Sequence, residues 1–410
     1  MKRNFALITL LLVCLIAMSL APVEAQRSGK VNDTDGTKED TGKFIRMGKR
    51  AIPGQYIVVL DVDTVAADAD ESLTAANSFN LASEFGGEVT GVYAHALNGF
   101  SARMSEEGAL KLSEDPRVRF VEEDSIVDIN VTQTNAPWGL DRIDQVALPR
   151  NGTYTYTANG AGVNVYVIDT GIRRTHTQFG GRAFVGFDAI NDGRNTTDCN
   201  GHGTHVAGTV GGSTFGVAKG VRLFAVRVLN CSGSGTNSGV IAGVNWVTSN
   251  HIDPAVANMS LGGGASSALD TAVNNSINAG VVYAVAAGNS NTNAANSSPA
   301  RVAAAITVGS STINDGRSSF SNFGSVVDVF APGSSIQSAW FTSDTATATL
   351  SGTSMASPHV AGVAARIRQG NPGASPATVR NEIVNTSSLN RLTGIPSGTA
   401  NRLLFRSGAQ

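Results

Sequence analysis

The chain has 410 residues, 41% of them hydrophobic, and a formal net charge of −2. That length accommodates two or three domains and a large core. The near-neutral balance excludes the basic surface that nucleic-acid binding needs, and no repeat, collagen-like or Pro-rich tract is present.

Lys2 and Arg3 precede an apolar run over residues 5–20, and Val23-Glu24-Ala25 supplies a small-residue cleavage site. This predicts a signal peptide over residues 1–25 and a secreted, extracellular product. The alternative is a membrane anchor, but the run is shorter than the ~20 residues a span needs, so no membrane association is expected. Export sets an oxidising environment. Cys14 leaves with the signal, so Cys199 and Cys231 remain as an even pair. They are expected to form one disulfide, the alternative being two buried free thiols. Closing the loop between them would add on the order of 3–4 kcal/mol.

Residues 26–50 are polar and charged and read as a flexible linker. Within it, Lys49-Arg50 is either a processing site or solvated charge. Residues 51–130 read as a small α+β unit. Tyr56-Ile57-Val58-Val59-Leu60 predicts a strand, residues 73–85 a helix ending at Gly86-Gly87, residues 106–112 a second helix and residues 118–127 further strand. The order is β-α-β-β-α-β. Residues 51–130 hold 15 acidic and 4 basic side chains, whereas residues 131–410 carry a net +5. Such opposite charge suits two parts that dock.

From residue 131 the pattern changes. β-branched apolar runs at residues 164–168, 223–228, 255–259 and 281–285 alternate with helix-like segments at 205–210, 240–250 and 268–279. The predicted class is α/β, a mostly parallel sheet flanked by helices on both faces. Sites in such folds lie at the carboxyl ends of strands. Asp169 ends the first of these strands, either as a turn cap or as a carboxylate that orients an imidazole. His202 lies between glycines at a helix start. His205, three residues on, reads as a packed, hydrogen-bonded histidine. Ser354 follows Gly352-Thr353 just before an apolar helix, where a serine is either a cap or an exposed nucleophile. Together the three suffice for acyl transfer: Ser354 attacks, His202 moves the proton and Asp169 orients the ring. Asn289, after the run Ala286-Ala287-Gly288, is either a surface turn residue or an oxyanion donor alongside the Ser354 N–H.

The chain order Asp, His, Ser and the three blocks Val167-Ile168-Asp169-Thr170-Gly171, His202-Gly203-Thr204-His205-Val206-Ala207-Gly208 and Gly352-Thr353-Ser354-Met355-Ala356-Ser357-Pro358 resemble the catalytic blocks of the subtilisin family. Residues 131–406 are most similar to the proteinase K and aqualysin branch, and residues 55–130 resemble its inhibitory propeptide. The resemblance implies a secreted, self-processing serine endopeptidase of broad specificity. Its domains would be an inhibitory propeptide at 51–130 and a peptidase at 131–410, the mature enzyme starting near Val131. It implies a substrate-pairing strand at Ser260, Leu261 and Gly262, and a specificity pocket walled by Ala286, Ala287 and Gly288. Calcium is the implied structural ion, held by Asp328 with the carbonyls of Ala303 and Ala305, and at a second site by Asp141, Asp144 and Gln145. Cys199 and Cys231 match a retained bridge, while Ala295 and Val326 stand where relatives carry a second one. The expected partners are protein and peptide substrates and the chain's own propeptide, with no nucleic acid and no membrane, and the enzyme is expected to be a monomer.

Two other chemistries compete. A metallohydrolase would use Cys199, His202 and His205, but no His-Glu-x-x-His is present. A lipase-type hydrolase would run Ser, Asp, His around a Gly-x-Ser-x-Gly elbow, and here both partners precede the serine. A catalytically dead binding protein of the same fold is the remaining alternative.

Overall fold

The buried hydrophobic residues of the two parts of the chain form separate clusters, and the chain divides into units at Met1–Val127 and Asp128–Gln410. The structure is a computed structural model that describes residues 42–48, 51–61, 71–125 and 131–408. The expected signal peptide, the Lys49-Arg50 pair and the propeptide tail at residues 127–130 lie outside the described residues.

In the first unit the elements are β1 (Phe44–Ile45), β2 (Ala51–Leu60), α1 (Glu71–Glu84), β3 (Glu88–Tyr93), β4 (Gly99–Arg103), α2 (Glu106–Glu114) and β5 (Val118–Ser125). They form one sheet in the order β1-β5-β2-β4-β3. The β-α-β-β-α-β order read from the sequence is present. Alternation along β2 buries Tyr56, Val58 and Leu60 with Phe100, Leu112 and Val121. Ser105 caps α2 by accepting from the Gly108 N–H at 3.1 Å. One expectation is corrected. The linker over residues 26–50 is not flexible to its end, because Phe44 and Ile45 pair in parallel with β5. Phe44 is buried with its ring 5.9 Å from that of Tyr56, and Lys43 Nζ donates to the Val118 carbonyl at 2.7 Å. A single aromatic in a polar stretch found a pocket at the sheet edge, which composition averages conceal.

The second unit is built on β6 (Asn164–Asp169), β7 (Ala183–Asp188), α3 (His202–Gly211), β8 (Arg222–Arg227), α4 (Asn237–Asn250), β9 (Ala255–Met259), α5 (Ser267–Asn278), β10 (Val282–Ala286), β11 (Ile306–Ser311), β12 (Val329–Pro332), α6 (Thr353–Gly370), α7 (Pro376–Thr386), β13 (Ser388–Leu389) and β14 (Arg402–Leu403). Nine strands form one sheet in the order β13-β14-β12-β11-β10-β9-β6-β8-β7. Only the β13–β14 pair is antiparallel. Successive side chains of the central strands enter opposite cores. Val165, Val167, Val256 and Ala284 join α3 and α6, while Tyr166, Ile168, Ala257 and Val285 join α4 and α5. Both faces are therefore covered, which is why these strands read as continuous apolar runs.

Strands leave β6 toward β8 on one side and β9 on the other. The crevice at this switch of order, outside the carboxyl ends of β6 and β9, is where ligands bind in such sheets. Two glycines let α3 approach it. Gly201 caps α3 at φ +108°, a left-handed conformation, with the Trp340 and Phe341 rings where a side chain would sit. A Cβ on Gly203 would lie 2.2 Å from the Gly171 carbonyl oxygen. Gly203→Ala is expected to cost about 1–3 kcal/mol through this clash. A urea midpoint equal to that of the unchanged chain would contradict so close an approach.

Candidate active site

Asp169 ends β6 with a side chain fully removed from solvent. Its Oδ1 lies 2.7 Å from His202 Nδ1 and also accepts from the Thr170 N–H at 2.8 Å. Asp169 Oδ2 has no partner among the described residues. His202 keeps 26% of its side chain exposed, so one ring edge is held by a buried carboxylate and the rest reaches the crevice. Burial disfavours the imidazolium. The charge of Asp169 and its hydrogen bond, followed by the charge of Asp198, outweigh that and raise the pKa above the ordinary 6.5.

Asp198 carries no marked pattern of its own in the sequence, although an Asp followed within three residues by Asn200-Gly201 fits a turn. Its Oδ1 accepts from the N–H groups of Asn200 and Gly201 and from the Thr170 hydroxyl, and its Oδ2 from the N–H and hydroxyl of Thr204. It thereby holds the first turn of α3, and His202 with it, against the end of β6. The Cys199–Cys231 disulfide forms in the same loop, with an S–S distance of 2.01 Å. Cys199 is thus committed to a bridge. His205 points elsewhere, with Nε2 at 3.0 Å from the Ile336 carbonyl. The cysteine–histidine metal set is therefore not assembled, and no cluster of three or more His, Cys, Asp or Glu suited to a metal occurs among the described residues.

Ser354 is the second residue of α6, two positions after the N-terminal cap Gly352. Its hydroxyl donates to the Ser260 carbonyl at 3.1 Å rather than to His202. Asn289 lies beside it. Asn289 Oδ1 accepts from both the N–H (2.8 Å) and the hydroxyl (2.9 Å) of Thr353, which leaves Nδ2 facing Gly352. Thr353 Oγ1 in turn accepts from the Gly288 N–H at 3.1 Å. No local pattern marks Thr353, because its partners lie more than 60 residues away in the chain. A cavity of about 340 Å³ contains Ser354, Asn289, Leu261, Gly262, Ala286, Ala287 and Gly288, with no charged side chain in its lining. A second groove of about 550 Å³ holds His202, Ser260 and Leu229 and shares the 261–263 backbone with the first. Residues 262–264 are exposed, and Gly263–Gly264 pairs with Ser297–Ser298.

Residues 160–409 match the Subtilase family model, and residues 55–130 match the Peptidase inhibitor I9 model. The chain belongs to the subtilase family. It is similar to an "Extracellular serine proteinase" of Thermus sp. (strain Rt41A), 52% identical over 87% of this chain and 90% of that protein. It is also similar to "Alkaline serine exoprotease A" of Vibrio alginolyticus, 50% identical over 87% of this chain and 68% of that one. The crystal structure of "a cold adapted subtilisin-like serine proteinase" aligns with a TM-score of 0.65 and 56% identity, covering 66% of this chain and 98% of the other. This subtilase is a secreted serine protease with an I9 inhibitor propeptide ahead of its peptidase domain. No helix among the described residues is long and apolar enough to cross a membrane.

The residues expected to hold calcium fall in two places. Asp141 accepts from the Asn151 and Gly152 N–H groups and from Gln145 Nε2. Asp144 Oδ2 accepts from the Thr155 N–H, while Oδ1 is buried without a partner among the described residues. Burial, with the charge of Asp141 adding to it, pushes the Asp144 carboxyl up to about 6. Asp328 differs. Its Oδ2 accepts from the Thr307 N–H, two residues beyond Ala305, and its Oδ1 is in an ion pair with Arg380. Ala303 is exposed and Ala305 buried.

His205 and His359 of this subtilase are buried and take no part in the crevice. Burial pushes both His205 and His359 down to about 4, and His359 Nδ1 meets only the Met355 carbonyl at 2.9 Å. A neutral folded histidine contributes stability that is complete above the unfolded pKa of ~6.5 and is lost as pH falls toward 4. His359→Gln removes one such group. It is expected to shrink the loss of unfolding free energy between pH 7 and pH 4.5 by about 2 kcal/mol. Identical pH dependence in the two proteins would show that His359 is not held neutral.

Proposed function

We propose that this subtilase cleaves peptide bonds through Ser354, His202 and Asp169, with Asn289 and the Ser354 N–H binding the oxyanion. The observation that carries this reading is the buried Asp169–His202 pair at the strand end, beside the cavity that holds Ser354 and Asn289. A turn of the Ser354 side chain away from the Ser260 carbonyl directs its oxygen at a substrate carbonyl. His202 then takes the hydroxyl proton. Asp169 fixes the tautomer with the proton on Nδ1 and stabilises the imidazolium as it forms. Negative charge develops on the substrate oxygen between Asn289 Nδ2 and the Ser354 N–H. Thr353 holds the amide in that orientation, so little reorganisation is needed when the charge appears. His202 returns the proton to the leaving amine; water then attacks the acyl carbonyl as His202 takes its proton, and His202 passes that proton to Ser354 Oγ as the acyl–oxygen bond breaks. The exposed backbone at 261–263 suits antiparallel pairing with an extended peptide. The uncharged, small-residue lining favours broad acceptance of apolar and aromatic side chains.

The inhibitor unit is read as the first substrate of this site. Cleavage near Val131 would separate it from the peptidase, and its net acidity opposes the +5 of residues 131–410. Calcium is proposed at Asp141, Asp144 and Gln145, where a buried, unpartnered carboxylate oxygen sits beside a second carboxylate and an amide. Oxygen donors of this kind suit the ion. Asp328 fits less well, since Arg380 already neutralises it. When bound, the ion ties the residue 141–152 segment in place and takes no part in bond cleavage.

Ser354→Ala is expected to leave an uncleaved precursor, to abolish labelling by a fluorophosphonate and to reduce kcat by about 10⁶-fold. Normal cleavage near Val131 in that variant would overturn the reading. Asp169→Asn is expected to lower kcat by about 10⁴-fold. In the unchanged enzyme the acid limb of kcat/KM should lie above pH 6.5, because His202 must be neutral to act and its pKa is raised.

Chelation is expected to lower the melting temperature, by the equivalent of about 3 kcal/mol if the ion is present at 100 times its Kd. Asp144→Asn should remove most of that response. A chelator-insensitive melting curve in the unchanged protein would remove calcium from the account.

A further inference from the structure

We infer that Ser357, Asn258 and Ser260 form a one-way hydrogen-bond relay that replaces a helix hydrogen bond which Pro358 removes from the nucleophile's own carbonyl. In a regular α-helix the Ser354 carbonyl would accept from the N–H of residue 358. Residue 358 is a proline inside α6 and has no N–H, and a proline ring also crowds the carbonyl four residues back. That carbonyl is therefore left without its helical donor at a packed helix start, an unfavourable state for a buried acceptor.

The Ser260 hydroxyl supplies the missing donor, at 2.8 Å from the Ser354 carbonyl oxygen. Ser260 Oγ accepts in turn from Asn258 Nδ2 at 2.9 Å, and Asn258 Oδ1 accepts from the Ser357 hydroxyl at 2.8 Å. Asn258 and Ser357 are fully buried and Ser260 is nearly so. The direction is forced from one end. A carbonyl only accepts, so the Ser260 hydroxyl must donate to it, so the Asn258 group facing Ser260 must be its NH₂, so its oxygen must face the Ser357 hydroxyl. Reversing the Asn258 amide would draw the Ser260 proton away and leave the Ser354 carbonyl unmet.

The relay ties the end of β9 to the first turn of α6. The contact is reciprocal, because the Ser354 hydroxyl donates back to the Ser260 carbonyl at 3.1 Å. It thus helps to fix the backbone of Ser354, whose N–H is one of the two oxyanion donors in the proposed mechanism. It also joins the nucleophile to the strand at 261–263 that the substrate would pair with. None of its side chains reaches the reacting atoms, so Ser357, Asn258 and Ser260 are positioning residues. The inference rests on Ser354 being the nucleophile.

The test uses enzyme matured from the full chain. It measures the rate of fluorophosphonate labelling at Ser354, with kcat and KM on a chromogenic peptide. Ser260→Ala and Ser357→Ala are expected to slow labelling and lower kcat by roughly 10- to 100-fold, the scale of a displaced reacting group, with KM nearly unchanged. Ser357→Thr keeps a hydroxyl and should retain most of the rate. Adding Pro358→Ala to Ser260→Ala restores an N–H at position 358 and should recover several-fold of the lost labelling rate, which a purely packing role for Ser260 would not produce. Unchanged labelling in Ser260→Ala, or a loss that Pro358→Ala does not relieve, overturns the relay while leaving Ser354 as nucleophile. An unchanged enzyme that is not labelled at Ser354 overturns the nucleophile assignment, and the relay with it.

Discussion

A buried carboxylate that meets an imidazole at 2.7 Å imposes the strictest requirement on this fold. Asp169 is fully removed from solvent, and a charge in such a place is tolerated only where donors surround it. The parallel sheet supplies the position, because β6 lies at the switch of order and its carboxyl end opens into the crevice. α3 supplies the imidazole, and it can do so only because Gly203 lets its first turn touch the backbone of Gly171. Asp198 then fastens that turn through five hydrogen bonds from Thr170, Asn200, Gly201 and Thr204. The elements around the crevice thus serve a single contact.

The Ser354 side follows a different logic. α6 begins at Thr353 after its cap Gly352, and two backbone groups of its first turn lie outside the helix's own hydrogen bonds. The Thr353 N–H goes to Asn289 instead of remaining for solvent, and the Ser354 carbonyl goes to Ser260 because Pro358 cannot serve it. Each of these two open groups is met by one at a neighbouring strand end. A helix start is rich in unpaired N–H groups. Here those groups, and the carbonyl freed by proline, become the means of aligning Asn289 and Ser354 within one cavity. Stability and alignment therefore rest on the same atoms.

Much of this was legible in the linear chain. The strand–helix alternation after residue 131 predicted the covered parallel sheet. The glycines around His202 marked close backbone approach, and Gly203 meets the Gly171 backbone. His205 was separable from His202 because it falls inside the helix, and it does bond to the Ile336 carbonyl. The places where local reading fell short have a common cause. Phe44 is a lone aromatic in a polar stretch, and its value depended on a pocket formed by Tyr56 and β5. Thr353, Asn258 and Ser357 are ordinary residues whose partners are distant in the chain, and Asp328 reads as a loop acid although Arg380 neutralises it.

The sequence by itself determined which residues could do chemistry, in what order they occur, and that each sits at the end of a strand or the start of a helix. These follow from periodicity, glycine placement and side-chain type, all of which act over a few neighbours. Only the tertiary structure decided which groups meet. It set Asp169 against His202, fixed the Asn289 amide on Thr353, directed the resting serine at Ser260 rather than His202, and completed the carbonyl that Pro358 leaves open. Hydrogen bonds across dozens of residues depend on how strands are ordered in the sheet and how helices pack on it. No local pattern encodes that order.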